Sequence, residues 1–451
     1  MADKLLPSSF LHMLVALPKS AHLWVAYSGG CDSHVLLHLL HQLQLILQLP
    51  LKLSAIHVNH GLSPYAGEWA EHCARVCAEL DIPIRILEVN AKAKAGQSPE
   101  EAARHARYQA IDAQLAAGEY LCTAHHQDDQ AETLLLQLLR GAGPKGLAAM
   151  GVQSPLGRAT QLRPLLNLSR EQIQQYAEEA NLQWVDDHSN SDTRFDRNYL
   201  RHEILPRLKQ RWPAAARTIS RSAEHCAQAA GLLEQRAEED WQQCRGQTGP
   251  LDTCLDVMKI ATMQMLPLAR QKNLLRYWVV LNGLPLPSEI KLHHIINDVM
   301  GAAEDRVPCV AWSGAEVRRY QGHLYIMRPL LPFDTNIVIP WKTMAQPLLL
   351  PDGRTLVLES VQQQLGVSGR LLQQGDVTIR FRQGGETLLL PNSAHHKTLK
   401  QLLQERGVPS WQRDRLPLLY VGEQLMVVVG VCLTQAALAT PSEEGGAVLL
   451  R

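Results

Sequence analysis

The feature that most constrains the fold is a six-residue segment between two apolar runs, Ser28-Gly-Gly-Cys-Asp-Ser33. The run before it, Leu23 to Tyr27, has the length of a buried strand, and the leucine-rich run after it has helical spacing. Gly29 and Gly30 let the backbone turn sharply and pass close to a ligand. The N–H groups that begin the next helix have no partner within it and favour a phosphate. The segment therefore predicts a strand, a phosphate-binding turn and a helix.

Asp32 is unexpected in a phosphate-binding turn, because a carboxylate repels phosphate oxygens. A bound Mg²⁺ explains its presence, since the cation bridges phosphate oxygens and offsets their charge. The turn is not a Walker A loop, because the chain has no G-x-x-x-x-G-K-[ST] motif. The alternative is an ordinary glycine-rich turn of a Rossmann-like sheet. The predicted nucleotide-binding residues, of which Asp32 is also the metal ligand, are Ser28, Gly29, Gly30, Cys31, Asp32 and Ser33.

The composition limits the classes of protein to consider. Lys+Arg and Asp+Glu both number 44 among 451 residues, so any binding to nucleic acid must come from local patches. The nine cysteines include no C-x-x-C pair, which gives no support to a zinc ribbon or an iron–sulfur cluster. Scattered cysteines fit a reducing compartment. With neither a signal-peptide pattern nor an apolar run that could span a bilayer, we expect a cytoplasmic protein without membrane contact.

Strands and helices alternate through the first half of the chain. Strands are predicted at 51–58, 82–89 and 120–124, and helices at 65–80, 99–115 and 130–139. Such alternation is typical of a doubly wound parallel sheet, which binds ligands beyond the carboxyl ends of its strands. The phosphate-binding turn, Asn59 with His60, and the pair His125-His126 are all expected at those ends.

A second informative segment runs from Leu121 to Thr133 and contains His125, Asp129 and Glu132. We interpret it as a strand that delivers histidines, followed by a helix that begins at aspartates, and we expect it to handle phosphate and Mg²⁺. Capping of the helix would account for one of Asp128 and Asp129, but not both. A cluster of these histidine, aspartate and glutamate side chains that binds a metal ion is an alternative, although no H-E-x-x-H spacing indicates zinc.

Two other parts of the chain carry candidate cationic contacts. Arg104, Arg107 and Tyr108 share one helix face, where the guanidinium groups either contact ATP or RNA or simply face solvent. Residues 194–221 and 380–415 are rich in lysine and arginine and include aromatic residues, which indicates RNA contact or a solvated surface.

The remaining segments are interpreted from their periodicity and their glycine and proline content. Residues 141–167 should form a loop-rich connector, and residues 307–327 should form hairpins. Helices are predicted at 220–247, 263–281, 289–300 and 397–405.

Taken in order, these motifs resemble those of the bacterial tRNA(Ile)-lysidine synthetases, which belong to the PP-loop or N-type ATP pyrophosphatase superfamily. The resemblance includes the turn at 28–33, the segments 57–62, 101–108 and 125–133, and residues 187–201. It continues in the last hundred residues. It implies a doubly wound α/β PP-loop domain at 1–215, a mainly helical tRNA-binding domain at 216–335 and a small α+β tRNA-binding domain at 350–451.

The resemblance also implies a reaction. ATP would adenylate the C2 carbonyl oxygen of the wobble cytidine in a CAU anticodon of tRNA(Ile), and free L-lysine would then displace AMP to give lysidine. The implied active-site residues are Asp32, Arg104, His125, Asp129 and Arg201, with Arg107 and Arg197 as close alternatives for the arginines. The resemblance suggests a homodimer or a monomer. Competing interpretations are a PP-loop tRNA thiolase, which would need cysteines near the site, and a tRNA-binding scaffold with a vestigial nucleotide pocket.

Overall fold

The computed structural model describes residues 8–61, 64–90, 99–186, 192–247, 254–303, 306–361, 366–374, 376–391, 393–439 and 445–450. Contacts within the chain divide it into two compact units, one up to Leu232 and one from Leu233 onward. The predicted segment 187–191, part of the resemblance, lies outside the described residues. The three domain boundaries given above stay a prediction.

The first unit is built on a six-stranded sheet with helices on both sides. Its strands are β1 (His22–Ala26), β2 (Lys52–Asn59), β3 (Ile84–Glu88), β4 (Tyr120–Cys122), β5 (Gln153–Leu156) and β6 (Ala159–Leu162). Its helices are α1 (Ser8–Ala16), α2 (Cys31–Ile46), α3 (Ala66–Glu79), α4 (Pro99–Gln114), α5 (Gln127–Leu139), α6 (Pro144–Leu147), α7 (Arg170–Glu179), α8 (Asp196–Tyr199) and α9 (Leu205–Arg211). A π-helical turn, Leu200–Ile204, joins α8 to α9.

The order of the strands, β3-β2-β1-β4-β6-β5, places β1 at the point where the chain changes direction across the sheet. Strands β1 to β4 and β6 are parallel, and β5 is antiparallel to β6. Alternate residues of β1 enter different cores: Leu23 and Val25 pack with α2, whereas Trp24 packs with Ile111 of α4. Both faces of the sheet are therefore covered, as predicted for a doubly wound fold.

The predicted loop-rich connector at 141–167 is wrong in one respect, because it contains β5 and β6. The two strands are four residues each and turn at Gly157, whose φ of +52° suits glycine. Strands this short, containing proline and several polar residues, carry little periodic signal. They extend the sheet beyond β4, so Thr123 and Gln161 lie close together at the same edge.

Helix α10 (Ala215–Cys244) begins in the first unit and ends in the second. The first part of the second unit contains α11 (Ile260–Gln264), α12 (Leu268–Leu281), α13 (Glu289–His294) with a π-helical turn (Ile295–Val299), and a four-stranded sheet. That sheet contains β7 (Asp256–Lys259), β8 (Cys309–Trp312), β9 (Ala315–Tyr320) and β10 (His323–Met327). The helix predicted at 263–281 is instead two helices, because Pro267 stands at the N-cap of α12.

The end of the second unit is rich in strands with a few short helices, as expected of an α+β module. Its strands are β11 (Ile339–Pro340), β12 (Leu348–Leu349), β13 (Thr355–Val361), β14 (Val367–Ser368), β15 (Val377–Arg380), β16 (Thr387–Leu389), β17 (His396–Thr398), β18 (Leu418–Val421), β19 (Gln424–Val428), β20 (Cys432–Leu433) and β21 (Gly445–Leu450). Its helices are α14 (Gly369–Gln374), α15 (Leu399–Glu405), α16 (Ser410–Arg413) and a 3₁₀ turn (Gln435–Ala437). The helices of the described ranges include none that could serve as a transmembrane span.

Candidate active site

The turn between β1 and α2 has the geometry of an anion-binding loop. Gly29 has a φ of +87°, and a Cβ at this position would lie 3.0 Å from Cγ2 of Val185. The hydroxyl oxygens of Ser28 and Ser33 lie 3.0 Å apart, and Ser33 Oγ donates to the carbonyl oxygen of Gly30. Within the described residues no side chain caps the start of α2. The first N–H groups of α2 are therefore available to a ligand at this edge of the sheet.

His126 lies between the carboxylates of the two motifs. Its Nε2 atom is 3.5 Å from Oδ2 of Asp32 and 3.4 Å from Oδ2 of Asp129. Its Nδ1 accepts the backbone N–H of Asp128, while its own backbone N–H donates to Asp129, which forms a capping box at the start of α5. Because Nδ1 accepts, the ring proton is on Nε2 and faces both carboxylates. The structure thus brings Asp32 and Asp129 to one place through a histidine that the predicted catalytic set does not include.

Two arginines, Arg197 of α8 and Arg201 of the π-helical turn, contact carboxylates of α5. Arg197 donates to Glu132 at 2.8 Å and to Asp129 at 3.2 Å. Arg201 donates to Glu132 at 2.6 Å and to Asp129 at 2.8 Å. The Glu132 side chain is fully buried. Both arginines therefore share the same two carboxylates.

The surroundings of Asp129 determine its charge. Burial alone would raise the pKa of this carboxyl, but His126, Arg197 and Arg201 together hold its pKa well below the usual range. Asp129 is therefore a carboxylate at neutral pH, and its oxygens are engaged by cations and by a backbone N–H. Such a group is suited to holding arginines in place and is a poor proton acceptor.

His125 follows β4 and lies near Asp129, Arg104 and Arg197. Its Nδ1 is 2.9 Å from the hydroxyl oxygen of Thr123. Burial lowers the pKa of His125 to about 3, and the neighbouring arginines act in the same direction. The imidazole is therefore neutral near pH 7, so it can act as a hydrogen-bond partner and not as a cation.

The two candidate arginines of α4 have different neighbours. The guanidinium of Arg104 lies over the ring of Tyr108, 5.0 Å from its centroid, and is close enough to influence His125. Arg107 instead donates to Nε2 of His60 at 2.9 Å and 3.1 Å. Burial and Arg107 lower the pKa of His60 to about 4. These positions favour Arg104 for the centre of the site, and its role stays a prediction.

Asp128 has a separate partner, which explains why two aspartates occur side by side. Its Oδ2 accepts Lys209 Nζ at 2.6 Å, and Lys209 also contacts Glu171 at 3.2 Å. Asp128 and Asp129 thus bind different cations of the segment 196–211. Within the basic stretch 194–221, the side chains of Arg197, Arg201 and Lys209 pair with carboxylates of the first unit. An RNA-binding surface on this stretch would therefore have fewer cations than its composition indicated.

The donor set near the turn fits a magnesium ion that arrives with a nucleotide. The Asp32 side chain is 37% exposed, whereas Asp129 is occupied by its cations. The described residues contain no group of three or more histidine, cysteine or acidic side chains that could hold a metal. Mg²⁺ commonly uses one or two carboxylates together with substrate phosphates and water. Asp32 alone meets that requirement, and a resident ion held only by protein is not indicated.

The cysteines near the site do not suit sulfur transfer. Burial raises the pKa of Cys31 to about 11 and that of Cys122 to about 12, so both are protonated at neutral pH. All nine cysteines of the chain are free thiols. Because the thiolate is the nucleophile and metal ligand, these two residues give no support to the thiolase alternative.

Comparison with known proteins assigns a family to this arrangement. Three family models match the chain: a PP-loop domain at residues 6–208, a TilS substrate binding domain at 258–325 and a TilS substrate C-terminal domain at 377–450. A protein of Coxiella burnetii named tRNA(Ile)-lysidine synthase is 42% identical over 439 residues, which are 97% of this chain and 95% of the relative. Proteins of the same name from Pectobacterium atrosepticum, 42% identical over 91% of this chain and 90% of the relative, and Yersinia pseudotuberculosis, 40% identical over 97% and 95%, are similar in the same way.

Proposed function

This chain belongs to the tRNA(Ile)-lysidine synthase family, and we propose that it joins free L-lysine to C2 of the wobble cytidine in tRNA(Ile) with a CAU anticodon. It is an enzyme of the ligase class, with a PP-loop domain for ATP. The observation that carries the proposal is the cluster of Asp32, His126, Asp129 and the two arginines beside the open start of α2.

In the first proposed step, the C2 carbonyl oxygen attacks the α-phosphorus of ATP, and pyrophosphate leaves. The N–H groups of α2 and the hydroxyls of Ser28 and Ser33 would bind the departing phosphates. A magnesium ion on Asp32 would supply further charge stabilisation when bound. Arg104 and Arg201 would offset the negative charge that develops on the phosphoryl oxygens.

In the second proposed step, the ε-amine of lysine attacks C2 and AMP leaves with the former carbonyl oxygen. Adenylation is needed because the oxygen of a pyrimidine carbonyl is otherwise a poor leaving group. The lysine ammonium must lose one proton before it attacks, and because Asp129 is too strongly held by cations to accept that proton, it is released to water. The hydrogens of the attacking amine stay on the product, which keeps the positive charge that adenylation placed on the base. We therefore assign Asp129 to orienting the arginines, and His125 to donating a hydrogen bond to a substrate oxygen.

The biological consequences belong to the same proposal. Lysidine at the wobble position would change decoding from AUG to AUA. We expect the reaction in the cytoplasm, where free thiols persist, and we expect a homodimer or a monomer. The basic stretches near 194–221 and 380–415 are the proposed tRNA contacts.

The test is incubation of the full chain with ATP, Mg²⁺, radiolabelled lysine and either tRNA(Ile) or tRNA(Met) bearing the CAU anticodon. We expect label in tRNA(Ile) only, and only with ATP. Label in neither tRNA, with tRNA binding intact, would support the scaffold interpretation. Sulfur incorporation without a lysine requirement would support the thiolase interpretation.

A further inference from the structure

A chain of buried polar side chains leads from the interior of the sheet to His125. Arg163, Gln161 and Thr123 are between 4% and 7% exposed, and they lie at or just beyond the ends of the neighbouring strands β6 and β4. Arg163 Nη2 donates to Gln161 Oε1 at 2.8 Å, Gln161 Nε2 is 3.0 Å from Thr123 Oγ1, and Thr123 Oγ1 is 2.9 Å from His125 Nδ1. Each contact has a direction, which can be worked out from the first donor.

Arg163 fixes the direction of the first hydrogen bond in this series, because an arginine side chain has donors and no acceptor. Arg163 also donates to the carbonyl oxygen of Gly151 and to Ser154 Oγ, and it has no carboxylate partner within the described residues. The oxygen of the Gln161 amide must therefore face Arg163. Its NH₂ group must then face Thr123 and the hydroxyl of Tyr108, which lies 3.2 Å away.

The hydroxyl of Thr123 accepts from Gln161, and it has one proton to donate. Its two candidate acceptors are His125 Nδ1 at 2.9 Å and the carbonyl oxygen of Leu162 at 3.4 Å. The carbonyl of Leu162 already accepts the backbone N–H of Thr123 at 2.9 Å. The shorter contact and the partly satisfied carbonyl both favour donation to His125 Nδ1.

We propose that Arg163, Gln161 and Thr123 are positioning residues that fix His125 as the neutral tautomer with its proton on Nε2. This inference rests on the proposed function and deepens it. With Nδ1 accepting, the remaining ring nitrogen can only donate, so His125 offers one N–H to an anionic oxygen of the adenylated substrate. It acts as a hydrogen-bond donor, and it does not act as a base.

The tautomer is measured directly by long-range ¹H–¹⁵N correlation NMR on full-length protein labelled at histidine nitrogens. The signal of His125 is identified by its loss in a His125→Gln variant. We expect one protonated and one unprotonated ring nitrogen near pH 7, with the proton on Nε2. A proton on Nδ1, or an imidazolium, would overturn the inference.

The Gln161→Glu variant tests the direction of the hydrogen bonds between Arg163 and His125, and it hardly changes the volume of the side chain. The carboxylate that it introduces can accept from Arg163, from Thr123 and from the hydroxyl of Tyr108, so every group keeps a partner. The Thr123 proton would turn toward the new carboxylate, and the proton of His125 would move to Nδ1. We expect this change in the NMR signature, together with a kcat lower on the order of a hundredfold, as for loss of one preorganised donor.

Two further substitutions separate positioning from folding. Thr123→Val removes the hydroxyl and should lower kcat while leaving the KM for tRNA within about twofold, whereas Thr123→Ser should restore the tautomer and the rate. Ser154→Ala is the matched control: it removes one acceptor of Arg163 and a long contact of 3.5 Å to Gln161 Oε1, but Arg163 still donates to that oxygen at 2.8 Å and keeps the amide of Gln161 in the same orientation.

The outcomes keep the two proposals apart. A His125 tautomer that stays on Nε2 in Gln161→Glu, or an unchanged rate in both Gln161→Glu and Thr123→Val, would overturn the positioning role. If the wild-type tautomer and its reversal are as expected but no lysine enters tRNA, the positioning chain stands and the proposed reaction fails.

Discussion

Replacement of Glu132 by glutamine should destabilise the first unit strongly, although the two side chains have the same shape. Glu132 is fully buried and accepts from Arg197 Nε, from Arg201 Nε and from Arg201 Nη2 at 2.6–3.0 Å. Removing one member of a buried ion pair costs roughly 3–5 kcal/mol, because the remaining charge stays desolvated. The arginine side chains are 20% and 26% exposed, so water offsets part of this cost. We expect a loss of about 2–4 kcal/mol.

The measurement is urea unfolding of the full chain, with the transition of the first unit followed by far-ultraviolet circular dichroism. The matched control is Glu203→Gln, which removes an exposed partner of Arg207 on the same stretch of helix. Exposed pairs contribute about 0–1 kcal/mol, so this control should barely move the transition. Equal shifts in the two variants would refute the view that Glu132 is the buried anchor of the arginines.

Three other predictions concern the turn, the metal ligand and the response to pH. Asp32→Ala should abolish ATP-dependent lysine incorporation and leave tRNA binding largely intact; retained incorporation would remove the metal-binding role. Gly29→Ala should weaken ATP binding and lower the stability by about 1–3 kcal/mol, because φ is +87° and the new Cβ would lie 3.0 Å from Val185. Gly30 has a φ of −79°, so Gly30→Ala should fold with nearly unchanged stability. Equal losses of stability in the two variants, measured by calorimetry, would contradict this. The folded pKa of His60 is about 4, below the unfolded value of about 6.5, so the unfolded state binds more protons between these values and stability falls as the pH is lowered through this window. From pH 7 to pH 5 this histidine should account for at most about 2 kcal/mol of lost stability. If urea unfolding shows that a His60→Gln variant loses as much stability between pH 7 and pH 5 as the wild type, His60 is not the cause.

The parts of the fold that the sequence predicted are those with strong local signals. The turn at 28–33 combines glycines with a change from strand to helix periodicity, and the parallel strands are short apolar runs separated by amphipathic helices. β5 and β6 have neither signal, since they are four residues long and partly polar. Their place in the sheet depends on pairing with β4, which a local pattern does not encode.

The sequence predicted the loops that carry the candidate site, but it did not predict which side chains contact one another there. Histidine is not a preferred N-cap residue, so no local pattern indicated that His126 would lie between Asp32 and Asp129. Glu132 lies 65 residues from Arg197 and 69 from Arg201 along the chain, and composition alone does not show which cations of a basic stretch turn inward. The sequence shows which residues are charged, but tertiary packing determines which of them form ion pairs.

The origin of the oxygen in AMP tests the central claim most directly. The full chain would be given ATP, lysine and tRNA(Ile) carrying oxygen-18 at C2 of the wobble cytidine, and the released AMP would be analysed by mass spectrometry. If the site activates the carbonyl oxygen by adenylation, each AMP formed with lysidine carries the heavy oxygen. Unlabelled AMP formed in equal amount with lysidine would contradict the account.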